Sequence, residues 1–187
     1  MNIANKLTML RIILVPFLIV FAMPTPVWFG DVLYAFHNTY GIAIALIIFI
    51  IAAFTDTLDG YYARKLKLVT NMGKFIDPIA DKILVTAALI ILVERGDIPG
   101  FVLVIIIARD LVVDGIRLIA AGTGTVIAAS VFAKIKTALQ MIAVGLYFFS
   151  YYFDIWFLPQ IILILALIAT VYSGIEYIKS GKEYLKR

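Results

Sequence analysis

Six apolar runs, each about 20 residues long, dominate this sequence and leave only short polar stretches between them. The first ends near residue 23. The others cover roughly residues 40–62, 75–93, 101–121, 132–152 and 160–178. A helix rising about 1.5 Å per residue needs about 20 apolar residues to cross a bilayer's hydrocarbon core. With 64% hydrophobic residues and a mean hydropathy of +1.06, the chain lies far outside the soluble range. The sequence therefore predicts an all-α integral membrane protein, a bundle of six transmembrane helices forming one domain over residues 1–187. Six spans put both termini on one side. Of the 16 Lys and Arg, only Arg95 then falls on the opposite side, so the positive-inside rule makes the N- and C-termini cytoplasmic. The expected location is the cytoplasmic membrane, with membrane lipids as neighbours. The basic, then apolar, N-terminus can also be read as a signal peptide ending near Ala22, but its length suits a spanning helix.

Within this apolar chain, residues 56–81 read DTLDGYYARKLKLVTNMGKFIDPIAD. Asp56 and Asp59 are three apart near the end of the second run; Asp77 and Asp81 are four apart at the start of the third. On helices each pair shares a face, with Cβ atoms about 5–6 Å apart. A short basic link, residues 65–72, turns the third span back beside the second, so the four acids should converge near one membrane surface. At about 5 Å and an effective dielectric of about 20, each like-charged pair repels by about 3 kcal/mol. A cation must join them, and an all-oxygen ligand set selects a hard ion, Mg²⁺ or Mn²⁺. Simpler readings exist for single members. Asp77 before Pro78 is a good helix N-cap, Arg64, Lys74 and Lys82 can pair with the acids, and Gly60 and Ala63 can be helix-packing residues. Ionisable groups at membrane depth are nevertheless usually functional. The chain has no cysteine and one histidine, His37, in a polar loop expected over residues 24–39. Thiolate chemistry is excluded, and histidine clusters are not expected.

A second polar group lies in the fourth run. Asp110, Asp114 and Arg117 share a helix face, with Arg109 about a quarter-turn away. Lys134 and Lys136 enter the next span from the same side. Arg109, Arg117, Lys134 and Lys136 would make a cationic pocket for an anionic substrate. The alternative is that Arg117 pairs with Asp114 while the lysines and Arg11 snorkel to the surface.

The first group has the form D-x-x-D-G-x-x-A-R-x(8)-G-x-x-x-D-x-x-x-D, carried by Asp56, Asp59, Gly60, Ala63, Arg64, Gly73, Asp77 and Asp81. It resembles the signature of the CDP-alcohol phosphotransferase family at all eight positions. The opening NIANKLTMLRIILVP and the segment RDLVVDGIRLIAAGTGTVIAASVFAKIKT are similar to members that use sn-glycerol 3-phosphate as acceptor. The resemblance implies a six-helix protomer, usually a homodimer, that transfers a phosphatidyl group from CDP-diacylglycerol to sn-glycerol 3-phosphate and releases CMP. It implies that Asp56, Asp59, Gly60, Ala63, Arg64 and Gly73 bind CDP-diacylglycerol. The aspartates would hold one or two divalent ions, Asp81 would be the general base, and Arg109, Arg117, Lys134, Lys136, Thr8 and Arg11 would hold the acceptor phosphate. No nucleic acid is expected as a partner.

Two rivals remain open. Siblings of the family take inositol phosphate, serine or phosphatidylglycerol, and an uncharged acceptor would not need the Arg/Lys pocket. From another class, a divalent-cation transporter would line its path with carboxylates. Here the acids cluster at the cytoplasmic end, and nothing comparable lies in the outer half of any span.

Overall fold

The computed structural model of the chain describes residues 3–24, 31–65, 71–122, 127 and 130–185. Side chains are described for 6–24, 36–55, 76, 79–80, 82–122, 127 and 130–181. Among these residues there are six helices and no strand: α1 (Ile3–Ala22), α2 (Asp31–Lys65), α3 (Asn71–Glu94), α4 (Gly100–Gly122), α5 (Val131–Ser150) and α6 (Phe157–Leu185). Each expected apolar run lies on one of them. The boundaries differ most where polar residues continue a helix. α2 begins at Asp31, inside the expected loop over 24–39, because no Gly or Pro interrupts residues 31–40. His37 is thus a helical residue, and its Nε2 lies 2.9 Å from the Val20 carbonyl near the end of α1. α3 begins at Asn71, so Asp77 sits in its second turn and does not cap its start. α6 runs through most of the expected basic tail.

Among the described residues, three helical segments are long and apolar enough to cross a membrane: Phe36–Thr55, Val131–Ser150 and Phe157–Gly181. The charges of α4 (Arg109, Asp110, Asp114 and Arg117) keep it from the same class. Large apolar side chains stand exposed along the three segments, among them Ile47, Ile50, Phe54, Ile142, Ile164 and Ile168. Such faces suit lipid, not water. The chain is a membrane protein.

The helices group into two compact units. One comprises Met1–Asp97 and Val144–Asp154. Here α1 packs on both α2 and α3, so the N-terminal helix is part of the bundle. Val15, Leu18, Ala45, Phe49, Leu84, Leu89, Val144 and Phe148 are buried, and the rings of Phe49 and Phe148 meet edge to face at 6.0 Å. Small residues set the approach of α1 and α2. A Cβ on Gly41 would lie 2.6 Å from the Phe21 carbonyl oxygen, a backbone atom that cannot swing aside. Gly41→Ala should therefore destabilise the protein by about 1–3 kcal/mol, read as a lower melting temperature in detergent. Gly115→Ala, where nothing lies within 4 Å, should not lower it.

α3 ends in a Schellman motif. Gly96 has φ 80°, Gly96 N–H donates to Val93 O at 3.0 Å, and Asp97 N–H donates to Leu92 O at 2.9 Å. This turn presents Arg95 and Asp97 to Tyr151. Arg95 donates to the Tyr151 hydroxyl (2.9 Å) and to Ala22 O (2.9 Å), while the Tyr151 hydroxyl donates to the Asp97 carboxylate at 2.8–2.9 Å. Burial pushes the Asp97 carboxyl above its usual range, against the opposing pull of Tyr151 and Arg95. Tyr151 ties the ends of α1, α3 and α5 together.

The second unit comprises Ile98–Ala143 and Ile155–Arg187. There α4 packs along α6. Val102, Ile106, Val113 and Ile116 on α4 are buried, as are Leu163, Ala166, Thr170, Ser173 and Tyr177 on α6.

Candidate active site

The aspartate pairs lie on regular helices. Asp56 and Asp59 belong to the last three turns of α2, and Asp77 and Asp81 to the second and third turns of α3. Spacings of three and four keep the members of each pair on neighbouring helix positions. The side chains of Asp56, Asp59, Gly60, Ala63, Arg64, Gly73, Asp77 and Asp81 lie outside the described residues, as does most of the link over 65–72. Convergence of the two pairs therefore remains an expectation. Among the described residues no three metal-ligating side chains cluster. By donor chemistry the four carboxylates suit a hard divalent ion, with no thiolate in the chain to compete.

Just before Asp56, Thr55 is 7% exposed and returns its hydroxyl to the helix, donating to Ala52 O at 2.7 Å and Ile51 O at 3.0 Å. Thr8 and Arg11, three apart on α1, are each only 1% exposed, and both make polar interactions. Arg11 is thus a buried cation of α1 and does not snorkel. A guanidinium is tolerated at that burial only when paired. Thr8 and Arg11 belong to the unit that contains the aspartates.

The second unit assembles Arg109, Arg117 and Lys136 with full side-chain detail. Asp110 joins Lys136 and Arg109. Lys136 Nζ lies 2.6 and 2.8 Å from its two carboxylate oxygens, and Arg109 donates one terminal N–H to it at 2.9 Å. The other end of the Arg109 fork donates to Ser173 Oγ at 2.8 Å. Gly174 makes room for this arginine, since a Cβ there would lie 3.1 Å from Arg109 Cγ. Arg117 donates to the Tyr177 hydroxyl at 2.8 Å, so its identified partner is on α6. The Tyr177 ring centroid is 5.5 Å from the Arg109 guanidinium and 5.2 Å from that of Arg117, both within cation–π range.

Asp110 is the carboxylate that meets Arg109 and Lys136, while Arg117 meets a neutral hydroxyl. Among the described residues, Arg109 Nε and Arg117 Nε are buried with no hydrogen-bond partner. Buried donors normally have one, and an anion with several oxygens would supply it. Lys134 is exposed on the first turn of α5. Lys136, expected to face the acceptor, is 5% exposed and turned to Asp110.

Sequence reasoning did not find Ser130, Ser173 and Tyr177. Ser130 caps α5, its hydroxyl accepting from Ala133 N–H at 3.2 Å. The available signal was the spacing of Thr170, Ser173 and Tyr177, three and four apart in the apolar run of α6. All three are buried, which marks a polar stripe facing protein and not lipid.

The chain belongs to the CDP-alcohol phosphatidyltransferase family, whose model matches residues 1–172. It is 44% identical to the CDP-diacylglycerol–glycerol-3-phosphate 3-phosphatidyltransferase of Bacillus subtilis, over 99% of this chain and 97% of that relative. Proteins of the same name from Rickettsia typhi and Haemophilus influenzae are 34% and 36% identical. They are covered over 98% and 94% of their length, by 98% and 97% of this chain respectively.

Proposed function

We propose that this protein transfers a phosphatidyl group from CDP-diacylglycerol to sn-glycerol 3-phosphate, giving phosphatidylglycerophosphate and CMP. Its near-full-length similarity to relatives of that name supports the reading. The single structural observation that favours a phosphorylated acceptor is a pair of half-buried arginines, Arg109 and Arg117, each with a buried Nε–H that meets no acceptor. A neutral alcohol would leave them unsatisfied.

In this reading Asp56, Asp59, Gly60, Ala63, Arg64 and Gly73 bind the CDP end of the donor. Asp56, Asp59 and Asp77, with Asp81 as fourth carboxylate, would hold one or two Mg²⁺ or Mn²⁺ ions. Such ions, when bound, offset negative charge on the diphosphate and on departing CMP. Arg109, Arg117 and Lys134 hold the acceptor phosphate, and Lys136 acts with them through Asp110. Asp81 takes the proton from the glycerol hydroxyl. The hydroxyl oxygen bonds to the phosphorus that carries diacylglycerol, and the bond from that phosphorus to CMP breaks. The protein works as one catalytic domain with six spans, both termini and the active site on the cytoplasmic side of the cell membrane, and as a homodimer.

The test is CMP release by purified protein given CDP-diacylglycerol and a panel of acceptors. Glycerol 3-phosphate should support turnover; serine, inositol phosphate and phosphatidylglycerol should not. Charge-assisted hydrogen bonds to such an anion contribute about 1.5–3 kcal/mol each. Arg117→Ala or Lys134→Ala should therefore raise the KM for glycerol 3-phosphate about ten- to a hundredfold. The KM for CDP-diacylglycerol should change much less. Parallel movement of both constants, or of neither, would remove the pocket assignment.

A further inference from the structure

We propose that Tyr177 is a positioning residue for the acceptor, holding Arg117 and the start of α5 in the geometry that receives the phosphate. The proposal rests on the reading that Arg117 binds the acceptor. Its own support is the geometry around one buried hydroxyl. Tyr177 is 2% exposed, and its oxygen accepts two hydrogen bonds, from Arg117 at 2.8 Å and from Ser130 N–H at 2.9 Å. The two donors come from different helical elements, 60 and 47 residues away in sequence. One oxygen thereby fixes the end of α4 that carries Arg117 to the residue that caps α5.

That cap matters because Lys134 and Lys136 lie in the first two turns of α5. Ser130 is held on both sides: its N–H by Tyr177, and its hydroxyl by Ala133 N–H. The ring of Tyr177 does separate work. It lies within cation–π range of both Arg109 and Arg117, which lowers the cost of keeping two guanidiniums close together before an anion arrives. Arg117 is a flexible side chain, and fixing its fork in advance spares the ordering cost at the moment of binding. Tyr177 itself need not touch the acceptor.

Tyr177→Phe removes the hydroxyl and keeps the ring. It should raise the KM for glycerol 3-phosphate about tenfold, the effect of losing one hydrogen bond to a charged group. kcat and the KM for CDP-diacylglycerol should change little. Tyr177→Leu, which also loses the ring, should raise that KM further. The decisive measurement is a double-mutant cycle with Arg117→Ala, read as KM and as calorimetric affinity for glycerol 3-phosphate. Because part of the effect passes through Arg117, Tyr177→Phe should raise KM clearly less in the Arg117→Ala background than in the wild type.

An undiminished effect of Tyr177→Phe in the Arg117→Ala background would overturn the proposal, as would equal shifts in both substrates' KM or no shift at all. If Arg117→Ala weakens acceptor binding while Tyr177→Phe does not, only the positioning role fails. If Arg117→Ala leaves acceptor binding unchanged, the pocket reading fails and takes this inference with it.

Discussion

Excess chelator should stop CMP release completely, and Mg²⁺ or Mn²⁺ added back should restore it. The motive is the donor set: Asp56, Asp59, Asp77 and Asp81 on two consecutive helices, in a chain with no cysteine. Carboxylates paired at helical spacing repel one another by a few kcal/mol each at partly buried sites, about 3 at an effective dielectric of 20. A divalent ion reverses that sign, and its loss leaves the donor's diphosphate facing uncompensated acids. The effect should therefore be loss of turnover and not a modest rise in KM. A chelator titration of CMP release, followed by repletion with each ion in turn, measures it. Ca²⁺ should substitute poorly, because it favours longer bonds and more ligands than a site suited to Mg²⁺ offers. Full turnover in excess chelator would remove the metal from the mechanism.

The next largest effect should come from Asp81→Asn, which keeps the size of the side chain and removes its capacity to accept a proton. Turnover should fall about a hundredfold or more, while CDP-diacylglycerol still binds. Asp56→Asn or Asp59→Asn should instead weaken metal and donor binding together with turnover. Measuring donor affinity and kcat on the same preparations separates the two classes. A near-wild-type rate for Asp81→Asn would assign the proton to another group or to water. Equal loss of donor affinity in all three variants would make Asp81 a ligand like the others.

The sequence by itself determined the six helices and the family. Hydropathy and helical spacing are local properties, so apolar runs of about 20 residues locate helices before any tertiary contact is considered. The eight-position pattern over residues 56–81 is local in the same way, and the match over residues 1–172 bears out the family it indicated. Helix ends were less legible. Residues 31–39 are polar enough to look like a loop, yet they are helical, with His37 against the Val20 carbonyl near the end of α1.

Only the tertiary structure decided how the cations are held. Lys136 looked like a free acceptor ligand or a snorkelling lysine until Asp110, 26 residues earlier, was found at 2.6 Å. Arg109 and Arg117 find Ser173 and Tyr177, 64 and 60 residues away on α6, and Arg95 finds Tyr151 across 56 residues. No periodicity in the chain encodes such pairs. They arise because a buried polar group must find a partner wherever packing brings one. Packing is a property of all the helices in a unit at once, not of any single run of residues.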